Sequence, residues 1–319
     1  MASKSYMESV KKIQTKFESL KKELGKVVVG QSDVVDEILV AIMCGGNALL
    51  ESYPGLGKTL TINTLSQLLD MKFSRIQSTP DLMPSDITGT YLIEEDKGKK
   101  KFKFQQGPLF ANIVLADEIN RATPKTQAAL LEAMQEKQVT VGNTTFKLDA
   151  PFFVLATQNP IDQEGTYPLP EAQVDRFLFK ILVNYPTKEE EFEIVERFTS
   201  HSELSDVKKV LSKEQLITIQ KLVKQIPVAD DLKEKVVKLV NFTRTDKELI
   251  EYGASPRASL GIVLAAKAHA LMNGRAYVSM KDIEKVAYPV LRHRIVLSFK
   301  SERESKTADN VIGELLKKL

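Results

Sequence analysis

The chain has 319 residues, 43% hydrophobic and 27% charged, the balance of a globular protein with one or two packed cores. Its 45 basic residues nearly offset 42 acidic ones, so a net charge of +3 gives no argument for a nucleic-acid protein. The apolar runs near LLES and IVLAD are far shorter than the roughly 20 residues a membrane span needs, and the opening MASKSYMESVKKIQ lacks the apolar stretch of a signal peptide, so a cytoplasmic location is expected.

From the N-terminal side, Val10, Ile13, Phe17, Leu20 and Leu24 recur at helical spacing, and Gly25 follows as a stop; an amphipathic helix is expected over 8–24. Cys44 is the only cysteine, which excludes an internal disulfide. His201, His269 and His293 are too scattered for a zinc site, so any metal is expected to be held by oxygen. From Asn47 onward, short apolar strand candidates alternate with helical patterns: residues 48–50, 73–76, 113–116, 152–156 and 177–183. That alternation predicts a parallel sheet. Within it, Lys97, Lys99, Lys100, Lys101 and Lys103 alternate with Phe102 and Phe104 in a run that reads as a hairpin arm, either a solvated edge or a nucleic-acid contact. After Pro186 the strand signals stop and helices follow. Ser255 with Pro256 behind it and Ser279 with Asp282 read as helix starts. Two domains are expected, residues 1–186 and 187–319.

The first chemical motif is Ser52-Tyr53-Pro54-Gly55-Leu56-Gly57-Lys58-Thr59, set between a strand and a helix that begins with Leu60. A loop so placed aims backbone N–H groups and the positive helix end at phosphates, while Lys58 reaches the terminal phosphates and the Thr59 hydroxyl ligates magnesium. Ser52 stands where the usual pattern has its first glycine; if that position required a positive φ, serine would carry a steric penalty.

Asp117 and Glu118 end the strand 113–116 and fit a Walker B element: Asp117 for the metal, Glu118 to orient or deprotonate water. A DE pair can equally open a helix as favourable N-terminal charge. Asn159 follows the next strand, as a phosphate or water sensor or as part of an Asn-Pro turn. Arg257 falls in a helix first turn, where positive charge opposes the dipole and calls for an anion, a bound phosphate or a nearby carboxylate. Arg176 reads either as a salt-bridge partner of Asp175 or Glu171, or as an arginine that serves the phosphate of a neighbouring subunit.

In these residues and their order the chain resembles the MoxR family of AAA+ ATPases, within the helix-2-insert clade of P-loop NTPases. The stretches that carry the resemblance are VVGQ at 28–31, PGLGKT at 54–59, TPDLMPSDITG at 79–89, VLADEINRATPKTQAALLEAMQE at 114–136, ATQNPIDQEGTYPLPEAQVDRF at 156–177, GASPRAS at 253–259 and LRHRI at 291–295. The resemblance implies an α/β fold, an AAA+ core with a parallel five-stranded sheet and a smaller all-helical C-terminal lid. It implies Walker A at 52–59 with Leu60 beside it, Walker B at Asp117 and Glu118, sensor 1 at Asn159, an arginine finger at Arg176 and sensor 2 at Arg257. Val29 and Gly30 would border the adenine. Residues 83–107 would form the helix-2 insertion and 138–148 a hairpin. It further implies ATP and Mg2+ as cofactors, a homo-hexameric ring, and protein clients, among them partners with a von Willebrand factor A domain. Two other functions stay open: a nucleic-acid motor, and a nucleotide-dependent switch whose hydrolysis Ser52 has weakened.

Overall fold

The computed structural model describes residues 4–96, 99–161, 165–199 and 206–319; Lys97, His201 and the 162–164 part of the long motif lie outside the described residues. Five strands build the central sheet: β1 (Ala48–Ser52), β2 (Phe73–Gln77), β5 (Ile113–Asp117), β8 (Phe153–Gln158) and β9 (Phe179–Val183). They are all parallel, in the order β2-β5-β8-β1-β9. Each strand candidate read from the sequence is therefore in the sheet. A sheet of this kind is covered on both faces, which is why its central strands β5 and β8 open as continuous apolar runs.

Alternation along those strands separates two cores. Ile113, Leu115, Phe153 and Leu155 point to one face, packed by helix α1 (Lys4–Leu24), α2 (Ser32–Cys44) and α3 (Lys58–Leu68). Val114, Ala116, Val154 and Ala156 point to the other, where α4 (Pro84–Thr88) and α5 (Pro124–Glu136) lie. The five apolar residues predicted for the first helix are all buried in α1, so its stripe is core rather than surface.

Two hairpins leave this frame. β3 (Gly89–Asp96) pairs antiparallel with β4 (Lys99–Gln106), and β6 (Gln138–Val141) with β7 (Thr144–Lys147). At the root of the first, Phe104 stacks on Phe146 at 4.2 Å. Towards its tip Glu94 faces Lys101 and Glu95 faces Lys100 across the strands, and Lys103 reaches Glu94 at 2.8 Å. The hairpin thus offsets much of its own positive charge through cross-strand pairs.

A short α6 (Glu171–Val174) precedes β9. Beyond β9 come α7 (Lys188–Thr199), α8 (Lys213–Gln225), α9 (Asp230–Thr245), α10 (Pro256–Met272), α11 (Met280–Leu291), α12 (Phe299–Arg303) and α13 (Ala308–Leu316). Ser255 and Ser279 sit at the N-caps of α10 and α11, and Asp282 closes a capping box with Ser279. The helical expectation needs one correction in detail, because β10 (Ile250–Tyr252) and β11 (Val296–Leu297) form a small antiparallel pair. Two or three residues are too few for a period-2 pattern to be read. No described helix is long and apolar enough to cross a membrane.

Candidate functional site

Ser52 closes β1 buried, and its φ is not among the positive ones, so the strain expected of a serine there does not arise. Gly55 and Gly57 take the left-handed turns instead, with φ of 83° and 70°. A Cβ built on either would meet nothing within 4 Å, which leaves open space beside the backbone N–H groups of the loop. α3 then starts at Lys58 with no side-chain cap, so its first amides are free to meet an anion. Lys58 Nζ turns back on the loop, donating to Tyr53 O at 3.0 Å and Ser52 Oγ at 3.3 Å. Burial pulls its pKa below the ordinary lysine value, while the charges of Asp117 and Glu118 push it up.

Register sets the acidic pair beside this loop. β5 and β8 match Ala116 with Ala156, so the next residues, Asp117 and Thr157, emerge side by side. The Thr157 hydroxyl donates to Asp117 Oδ1 at 2.6 Å and accepts the Glu118 backbone N–H at 2.8 Å. Asp117 Oδ2 takes Arg75 Nη2 at 2.6 Å from β2. Glu118 has φ 53° as the chain turns into the 3-10 helix Ile119–Arg121, a conformation costing a non-glycine residue about 1–2 kcal/mol. Its carboxylate pairs with Arg121 Nη1 at 2.9 Å. Arg75, Arg121 and Thr157 carried no expected role. Register could have found Thr157, whereas the two arginines are recognisable only by their contacts.

Among the described residues no three His, Cys, Asp or Glu side chains cluster as a metal site. Asp117 and Thr59 offer a carboxylate and a hydroxyl, the oxygen donors of which a hard cation of the magnesium type takes one or two while phosphate and water complete its shell. The loop amides, Lys58 and open glycine positions suit the phosphates.

A cleft of about 730 Å3 runs from the loop between the 27–34 segment and α7. Val29, Gly55, Leu56, Gly57 and Leu60 line it, as does the unexpected set Tyr185, Glu190, Ile194 and Phe198. Pro54 in the loop and Lys58 and Thr59 at the start of α3 lie outside this wall. Gly30 lines a smaller adjoining pocket, and a Cβ there would lie 2.6 Å from the Glu190 carboxylate. Asn159 stands one residue past β8, where its Oδ1 accepts the Ile161 N–H at 3.1 Å, the geometry of a turn.

Arg176 and Arg257 occupy a different place. They line a pocket of about 320 Å3 together with Asn47, Asp175 and Arg294, with no residue of the phosphate loop. Arg257 meets Asp175 Oδ2 at 3.5 Å, so the carboxylate read as one of its two partners is present. Arg176 pairs with neither Asp175 nor Glu171; among the described residues its exposed guanidinium has no hydrogen bond or ion pair. Buried Arg294 takes Asp175 instead, Nε to Oδ1 at 2.8 Å.

Comparison with known proteins agrees with this geometry. Residues 47–179 match the model of the ATPase family associated with various cellular activities (AAA), and residues 243–315 match the AAA lid domain. The chain is 45% identical over 302 residues to Chaperone MoxR1 of Mycobacterium tuberculosis, covering 92% of this chain and 79% of that protein. It is 42% identical to the uncharacterized protein YeaC of Bacillus subtilis, covering 92% and 91%. A crystal structure of a Cytophaga hutchinsonii protein, described as a candidate ATPase, superposes with a TM-score of 0.91 at 44% identity, covering 99% of this chain and 98% of that one. Sheet order, phosphate loop, paired carboxylates and relatives agree: the chain belongs to the MoxR family of AAA+ ATPases.

Proposed function

We propose that the protein hydrolyses ATP to ADP and phosphate with magnesium, as a cytoplasmic homo-hexameric ring that remodels or activates partner proteins. In this reading the 54–60 segment and Lys58 hold the phosphates, Thr59 and Asp117 hold the metal, and Val29 and Gly30 border the base. Glu118 orients and deprotonates water, and Asn159 senses the terminal phosphate. Magnesium supplies charge neutralisation on the phosphate oxygens when bound. The same reading divides the chain into a nucleotide-binding unit, 1–186, and a lid, 187–319.

The observation that carries the proposal is the separation of two sets of charge. Lys58, Asp117 and Glu118 share one end of the sheet, while Arg176 and Arg257 face a pocket without any phosphate-loop residue. In this reading Arg176 offers its charge to a phosphate held by another copy, as an arginine finger does, and Arg257 is the sensor 2 arginine. Clients with a von Willebrand factor A domain follow from the family resemblance, and the name of the Mycobacterium tuberculosis relative, a chaperone, supports protein remodelling.

Steady-state ATPase activity measured across protein concentration tests the reading with wild type, Glu118→Gln and Arg176→Ala. Turnover per subunit is expected to rise with concentration and to vanish in both variants, with Glu118→Gln still binding ATP. Tight binding with negligible wild-type turnover would replace the motor by a nucleotide switch. Capture on ATP-loaded Glu118→Gln is expected to recover a protein with a von Willebrand factor A domain, and recovery of none would remove that class of client.

A further inference from the structure

Among the described residues Arg176 is free at its tip yet tightly held at its root. The residues around it are gripped by three consecutive residues that follow α11. Arg294 donates to the carbonyls of Asp175 at 3.2 Å and Leu178 at 3.0 Å and also to that of Phe177, besides its bond to the Asp175 carboxylate. A fifth bond, to the carbonyl of Val290, ties the same guanidinium to α11. His293 Nε2 lies 3.1 Å from the Phe177 carbonyl, and Arg292 donates to the carbonyl of Lys180 at 3.0 Å. At the start of α10, Ser255 Oγ adds bonds of 3.0 and 3.1 Å to the Asp175 carboxylate.

Arg294 has only 3% of its side chain exposed. A guanidinium is an expensive group to bury, and it is suited to such a place because its planar fork of donors fits several acceptors in fixed directions. None of these bonds touches the phosphate loop or the acidic pair. They tie the 175–178 segment to the start of α10 and to the residues that follow α11.

We propose that Arg294 is a positioning residue for Arg176: through the 175–178 backbone it fixes where the finger projects, and it transmits motion of the C-terminal helices to the neighbouring copy's site. This rests on the reading that Arg176 acts on a neighbouring copy. Misplacing a catalytic group by about 1 Å can cost on the order of 100-fold in rate. Arg294→Lys, which keeps charge but loses the fork, is therefore expected to lower kcat about 100-fold while leaving nucleotide affinity unchanged.

Mixing variants separates this role from a general structural one. Arg294→Lys keeps an intact nucleotide site but donates a displaced finger, whereas Glu118→Gln donates a good finger to a dead site. Combining the two full-length proteins, each nearly inactive alone, is expected to restore turnover well above their sum, as is combining Arg176→Ala with Glu118→Gln. Asp175→Asn, which weakens the Arg294 contact at nearly constant volume, is carried in parallel in case the lysine variant does not fold, and it is expected to complement in the same way. If Arg176→Ala complements but neither Arg294→Lys nor Asp175→Asn does, the positioning role is wrong. If Arg176→Ala itself fails to complement, the reading of a finger shared between copies falls, and this inference falls with it.

Discussion

The Thr157 hydroxyl donates to Asp117 Oδ1 at 2.6 Å while accepting the backbone N–H of Glu118 at 2.8 Å, so one threonine sets both acidic residues. Thr157 is buried, and replacing it by valine would leave a donor and an acceptor without their partner. Such losses cost about 1–3 kcal/mol. Thr157→Val is expected to be destabilised by that amount in denaturant unfolding and to lose turnover with little change in ATP affinity, because the hydroxyl touches the Asp117 carboxylate and the Glu118 backbone and not the phosphate loop. Thr157→Ser keeps the hydroxyl and is expected to retain most activity; equal loss in both variants would mean that the methyl group, not the hydrogen bonds, matters.

Gly57 offers a sharper separation of folding from binding. Its φ of 70° penalises any L side chain, but a Cβ there meets nothing within 4 Å. Gly57→Ala is expected to cost only about 1–2 kcal/mol in thermal unfolding of the nucleotide-free protein, while the methyl group occupies space the phosphates need. ATP titration is expected to show at least a tenfold weaker affinity, equivalent to about 1.4 kcal/mol. Unchanged affinity would mean that the phosphates approach elsewhere.

The sheet was legible because buried parallel strands leave continuous apolar runs such as Ile113–Ala116, and the phosphate loop because its chemistry is contiguous in sequence. What escaped were partners brought together by register or by distant packing. Arg75 reaches Asp117 only because β2 and β5 are neighbours in the sheet. Arg294 reaches Asp175 across 119 positions of chain. Phe198 and Ile194 line the cleft from a helix with none of its residues buried, so its pattern resembled surface. Hydrophobic periodicity reports which face a residue turns to the core, not which charged tip it meets.

Away from the chemistry, Asp282 is fully buried and holds His269 Nδ1 at 2.6 Å, Ser279 and both terminal nitrogens of Arg275. Burial works against its ionised form, but the bonds from Arg275, His269 and Ser279 outweigh burial and keep its carboxyl well below the ordinary range. A depressed folded pKa adds stability that is present above the unfolded value near 3.9 and is lost in more acidic solution. Asp282→Asn leaves Arg275 without its counter-charge and is expected to lose about 3 kcal/mol at neutral pH. The gap should close as pH falls below about 4, while turnover per folded molecule stays at the wild-type level.

Glu37 on α2 gives the opposite sign. Burial pushes its carboxyl up to about 7 against the pull of Arg292 and Lys285, with Asp33 and Asp309 adding to the rise. A raised folded pKa means that the native state holds the proton more tightly than the unfolded chain, so the stabilisation is complete below the unfolded value and is lost as pH climbs through 7. Above that, wild type keeps a half-buried charge that glutamine would not have. Glu37→Gln is expected to match wild type near pH 4 and to gain stability steadily up to neutrality. The gain should level off at no more than roughly 3 kcal/mol. Denaturant midpoints at pH 5 and pH 8 measure this directly. A gain of the same size at both would show that glutamine improves packing instead, since a packing effect carries no proton and has no reason to follow pH.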